Sequence, residues 1–132
     1  CQNWEYRDLL PDEDEIQAAL NGRPLGRQVS AADLAAEAGP RTNCVCFFGG
    51  DPAAQMAHAL AAGRMLMEHG VRVCWETNGT AHPRLMDRAI EQSLRSGATV
   101  KFDLKAYDDT LHQAVTGASN RQTLANFARA AE

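Results

Sequence analysis

At 132 residues, 45% hydrophobic and 23% charged, the chain has the size and composition of one folded domain rather than of a disordered segment. Its net charge of −4, with dispersed arginines, lacks the basic patch that a phosphate backbone demands, so no nucleic-acid partner is indicated. No apolar run approaches the roughly 20 residues needed to span a bilayer, and no signal-peptide pattern is visible, which points to the cytoplasm and away from a membrane partner.

The chain opens on CQNWEY, with Cys1 the first of four cysteines; Cys44, Cys46 and Cys74 are the others. In a helix-rich sequence they do not read as a disulfide framework, and reduced thiols or metal ligands are the better reading. Residues 12–20 can form a short acidic-headed helix, followed by the turn-rich connector NGRPLG. Ser30 caps a short helix through Glu37, closed by Gly39-Pro40. The segment 43–48 (NCVCFF) is short, apolar and rich in β-formers, as are 71–76 (VRVCWE) and 99–104 (TVKFDL).

Between these strands lie helical patterns. Asp51 can cap a helix with Pro52 at its first position, running to about His69 with Met56, Ala59, Leu60, Gly63 and Met67 on one stripe. Residues 83–95 repeat the plan with Leu85, Met86, Ala89, Ile90 and Leu94, ending before Gly97. Ser119 or Asn120 starts the last helix, with Leu124, Phe127, Ala128 and Ala131 as its expected inner face. Val45, Val73 and Phe102 fall 28 and 29 residues apart, which is the beat of consecutive βα units. The expected fold is therefore α/β: a parallel sheet with helices on one side, as in an incomplete (β/α) barrel, with residues 1–132 as a single domain.

In such folds ligands bind at the carboxyl ends of the strands, which here read GGDP, ETNG and DLK. Gly49 and Gly50 leave backbone open to a ligand's amine or phosphate, although a plain turn capped by Asp51 explains the same residues. Glu76, Thr77 and Asn78 set three oxygen donors side by side, which suits a cation or an amine; a solvated Asn-Gly turn is the simpler account. Asp103 and Lys105 fall on one face of a strand, where they either pair with each other or bind something. Cys44 and Cys46 share a face, with Cys74 on the next strand, and inert core packing is their expected role, a zinc site the weaker alternative. The histidines (His58, His69, His82, His112) have no paired ligand spacing and are read as surface residues.

The order CQNWE, FFGGDP, ETNG, DLKAYDD resembles the radical S-adenosylmethionine (SAM) superfamily over residues 1 to about 127, most closely its glycyl-radical activating enzymes, such as those acting on pyruvate formate-lyase. TGASN followed by a helix also fits. The resemblance implies part of a partial TIM barrel, with the first strand and the C-terminal strands absent. It implies a [4Fe–4S] cluster held by Cys-x3-Cys-x2-Cys, of which Cys1 matches the third cysteine. Gly49, Gly50 and Asp51 match the motif that receives the SAM amino group, with Asp51 where Glu is more usual. Glu76, Thr77 and neighbouring Asn78, with Asp103 and Lys105, match positions lining the SAM carboxylate or a nearby monovalent cation. Lys105 and Asp103 are the candidate catalytic residues, Lys105 as partner of that carboxylate. The implied enzyme cleaves SAM to a 5′-deoxyadenosyl radical for hydrogen abstraction, with a flavodoxin- or ferredoxin-like reductant and a possible protein substrate. One thiolate cannot hold a cubane cluster, so the chain alone is expected to be inactive. A non-catalytic βα module binding a nucleotide or a partner is the alternative.

Overall fold

Three short strands frame the molecule. The computed structural model describes residues 13–22 and 29–132. Cys1, the expected helix start at Asp12 and the connector beyond Gly22 lie outside them. Helices α1 (Glu13–Leu20) and α2 (Ala31–Ala36) precede β1 (Cys44–Phe47). A 3-10 turn (Pro52–Gln55) leads into α3 (Met56–Glu68), then β2 (Arg72–Thr77), α4 (Pro83–Ser96), β3 (Val100–Phe102), α5 (Asp109–Thr116) and α6 (Arg121–Ala130). The strands form one parallel sheet in the order β1-β2-β3, with Val45 opposite Val73 and Trp75 opposite Val100. This is the open parallel arrangement of a partial (β/α) barrel. No described helix is long and apolar enough to cross a membrane.

Strand alternation divides the sheet into two unlike faces. Val73, Trp75 and Thr77 point to one side and are buried, packed with Met56, Ala59 and Leu66 of α3 and Met86 and Ala89 of α4. Each such large apolar side chain contributes about 1.5–3 kcal/mol relative to exposure. Trp75 stacks on Phe47 with ring centroids 4.7 Å apart. Helices α3 and α4 approach closely at Gly63, where a Cβ would fall on Gln92 Oε1.

The other face carries Cys44, Cys46, Arg72, Cys74, Glu76 and Lys101, and the core cluster does not reach it. Here the expectation of inert core cysteines fails. Cys44 is exposed and Cys46 and Cys74 are half-buried, because alternation sends them away from the helices. Cys44 Sγ and Cys74 Sγ lie 3.3 Å apart. Their thiols titrate above the usual range, Cys44 chiefly through the Cys74 hydrogen bond and Cys74 chiefly through desolvation. Among the described residues no group of three or more His, Cys, Asp or Glu is arranged to hold a metal ion.

Other boundaries shift for identifiable reasons. The third strand stops at Phe102; Asp103 N–H still donates to Thr77 O at 2.8 Å, and the chain then leaves the sheet, so Asp103 and Lys105 follow the strand rather than belong to it. On α4, Leu94 is 78% exposed while Ser93 turns inward. The cause is backbone satisfaction. Val73 precedes the β2–β3 pairing, and its N–H donates to Ser96 Oγ (3.0 Å) while its carbonyl accepts from Ser93 Oγ (2.8 Å).

The last helix likewise has a polar inner face. Thr123 and Asn126 are buried, whereas Phe127, Ala128 and Ala131 are exposed and Leu124 half-buried. Helix α5, not anticipated from the sequence, is capped by Asp108 accepting from Leu111 N–H and ends at left-handed Gly117. Two histidines are not surface residues. His112 is buried, with Nδ1 at 3.2 Å from Ala106 O, and half-buried His58 places Nε2 at 2.9 Å from Val29 O.

Candidate functional site

The carboxyl ends of the strands close around a cavity of about 590 Å³. It falls within the roughly 300–1,000 Å³ of pockets that hold small molecules. Gly49, Gly50, Asp51, Glu76, Thr77, Asn78, Asp103 and Lys105 all line it. Cys1, the candidate metal ligand, lies outside the described residues.

The first wall is the turn after β1. Gly49, Gly50 and Asp51 have φ of 78°, 65° and 53° in succession. A left-handed run suits glycine but strains Asp51, at an order of about 1–3 kcal/mol. The strain persists because the carboxylate is fixed from three sides. Its Oδ1 accepts from Ala53 N–H (2.8 Å) and Thr77 Oγ1 (2.9 Å), and its Oδ2 accepts from Asn78 N–H (2.6 Å). Asp51 therefore ties the β1 turn to the β2 tip. A Cβ on Gly49 would meet nothing within 4 Å, so the backbone there is open to a ligand.

The second wall is the ETNG loop, held from behind by α6. Thr123 Oγ1 donates to Asn78 O (2.6 Å), and Asn126 Nδ2 donates to Gly79 O (2.8 Å) and Ala81 O (2.9 Å). Gly79 has φ 75°, and a Cβ there would sit 2.7 Å from Phe102 Cδ1. Thr77 and Asn78 also shape the loop, since Thr77 Oγ1 accepts from Gly79 N–H and Asn78 Oδ1 accepts from Thr80 N–H.

The third wall carries charge. Lys105 Nζ pairs with Asp103 Oδ2 at 2.6 Å, and Lys101 Nζ with Glu76 Oε2 at 3.1 Å. The Lys101 ammonium is held above its ordinary pKa, first by the Glu76 hydrogen bond and charge and further by Asp103. Sequence reasoning missed Lys101, although the pattern Lys101-Phe-Asp103-Leu-Lys105 repeats charge at every second position. It also missed His112, which lines the cavity, and the positioning residues Thr123 and Asn126 of α6. Those carry no sequence signal apart from polar residues at helical spacing.

The cavity lining suits a zwitterionic small molecule: open glycine backbone at one wall, an ammonium paired with a carboxylate at another. No described residue set fits an iron–sulfur cluster. Cys44 begins β1 and Cys46 and Cys74 sit mid-strand, away from the carboxyl-end residues that line the cavity.

The chain is similar in sequence to known proteins. The pyruvate formate-lyase 1-activating enzyme of Escherichia coli (strain K12) is 29% identical over 106 residues, covering 75% of this chain and 42% of that enzyme. The isethionate sulfite-lyase activating enzyme of Oleidesulfovibrio alaskensis is 36% identical over 79 residues, covering 60% of this chain and 24% of that enzyme. The chain thus spans less than half the length of these curated relatives. The sequence profile of the Radical SAM superfamily matches residues 1–132. With its parallel sheet and its glycine turn facing a charged strand tip, the chain belongs to the radical SAM superfamily.

Proposed function

We propose that this chain builds the SAM-binding rim of a radical SAM enzyme of the activating-enzyme type. The observation that carries the reading is the convergence of Gly49, Gly50, Asp51, Glu76, Asp103 and Lys105 on one cavity at the carboxyl ends of the strands.

Each residue has a task that follows from its placement. The Gly49–Gly50 turn offers backbone carbonyls to the ligand's ammonium at close range, since no Cβ intervenes. Asp51 is a positioning residue whose oxygens are already filled by the protein, and it sets the distance between the two loops. Thr77 and Asn78 keep the second loop in shape. Lys105 meets the ligand's carboxylate as a charge-assisted partner, and Asp103 orients it and compensates its charge until the ligand arrives.

A reduced [4Fe–4S] cluster, with Cys1 among its ligands, would supply the single electron for reductive cleavage of SAM held at this rim, and so a radical able to take a hydrogen atom from substrate. Cys1 is the one candidate cluster ligand in this chain, and two further thiolates are required. The relatives are named for activating lyases, which favours a protein substrate here and a flavodoxin- or ferredoxin-like electron donor.

The test is Lys105→Ala in the full-length protein. SAM binding is expected to weaken about ten- to hundred-fold, as for loss of one charge-assisted hydrogen bond. The thermal midpoint should barely move. Unchanged binding with a sharply lower midpoint would make Lys105 only a structural partner of Asp103. A non-catalytic nucleotide-binding module would bind in the same cavity yet release no 5′-deoxyadenosine under reducing conditions.

A further inference from the structure

Three carboxylates and two ammonium groups share the cavity, and their pairing is uneven. Asp51 is filled by protein donors, and Asp103 is held by Lys105. Among the described residues, the charged group paired with Glu76 is Lys101, at 3.1 Å. Register dictates this pair, because Glu76 of β2 lies directly opposite Lys101 of β3 on the face away from α3 and α4. The Asp103 charge acts on the same ammonium.

Oxygen donors clustered at a strand tip ordinarily attract a dissolved cation. In this chain an ammonium is already covalently in place. We infer that Lys101 is a specificity-determining positioning residue: its ammonium does the work of a cation between Glu76 and Asp103 and makes ligand binding at the rim independent of dissolved metal cations. The inference rests on the reading of the cavity as a SAM site.

The physical reason is charge balance beside Lys105. A ligand carboxylate approaching Lys105 also approaches Glu76 and Asp103, and like charges repel it. Lys101 offsets that repulsion without being consumed by the ligand. Without it, the two acids either repel the ligand or recruit a small cation from solution. Glu76 and Lys101 are 43% and 67% exposed, so the pair adds little to stability, as surface pairs generally do. Its consequence is in salt identity rather than in folding.

The experiment measures SAM binding by calorimetry on the cluster-loaded, full-length protein. Potassium, sodium and tetramethylammonium chloride are compared at one ionic strength; the last is bulky and cannot enter an oxygen cage. The wild type is expected to bind equally in all three. Lys101→Met should lose about tenfold or more in tetramethylammonium and recover saturably with added potassium or sodium. Lys101→Arg should behave as wild type, and the Glu76→Gln, Lys101→Met double variant should lose the salt-identity dependence again. A wild type that needs potassium or sodium overturns the inference, as does a folded Lys101→Met that binds equally in every salt. Should Lys101→Met fail to fold by circular dichroism, the wild-type series and Lys101→Gln decide in its place. A wild type that binds SAM in no salt overturns the SAM reading itself, and the inference with it.

Discussion

The two faces of the sheet are built from alternate residues of the same strands, yet they have opposite characters. On the covered face Val73 and Trp75 are 0% and 1% exposed, sealed by α3 and α4. On the open face the neighbouring positions are Cys74, Glu76 and, across the register, Lys101, held by thiol contacts and exposed ion pairs. Stability is concentrated on one side, which leaves the other free to carry polar groups that a packed core would not tolerate. The carboxyl-end rim is where the two meet: Thr77 is buried on the covered face, and its hydroxyl reaches Asp51 at the cavity wall.

The comparison breaks most sharply at Trp75. Trp75→Ala should destabilise the protein by about 3–5 kcal/mol in urea unfolding, since a large buried ring leaves a cavity that α3 and α4 cannot refill. Trp75→Phe should cost far less, keeping an aromatic partner for Phe47 and removing an indole N–H that is buried without a partner among the described residues. An alanine cost as small as that of an open-face substitution would show that the two faces do not differ as described.

Gly79→Ala probes the junction. The left-handed backbone and the contact with Phe102 together predict a loss of about 2–4 kcal/mol. Weaker SAM binding should accompany it, because the ETNG loop must move; a stable variant with intact binding would show that the loop tolerates rearrangement.

The smallest expected effect is electrostatic and joins two helices. The Arg129 guanidinium holds the Asp87 carboxyl below the usual range, joining α6 to α4. A carboxylate with a depressed folded pKa contributes stability that is present above its unfolded value of about 3.9 and is lost as pH falls through the folded value. Thermal midpoints below about pH 4 should therefore fall less steeply in Asp87→Asn than in wild type, and the small deficit of the variant at pH 7 should close as pH falls. Identical slopes would remove Asp87 from the acid transition.

Much of the fold was legible because the signals were local. Ser30, Asp51 and Gly97 punctuate helices through their own backbone and side-chain geometry, and three β-rich segments at a regular interval admit a parallel sheet almost alone. Helix α5 was missed because its apolar residues are few and two, Leu111 and Val115, remain exposed. The inner face of α6 was misread because hydrophobic periodicity assumes an apolar partner. The partner is instead the carbonyl-rich loop at residues 78–81, which takes Thr123 and Asn126.

The sequence by itself determined where the strands lie, that their polar tips gather at one end of the sheet, and which residues stand at those tips. Those properties depend on period, spacing and turn chemistry, which are written along the chain. Only the tertiary structure decided which tip residues hold the protein together and which face a ligand. Asp51 has its carboxylate filled by Ala53, Thr77 and Asn78, whereas Glu76 turns to Lys101 across the register. Partners such as Thr77, Asn78 and Lys101, 25 to 27 residues from the carboxylates they reach, cannot be read from spacing, because a carboxylate's role is set by the donors that reach it first.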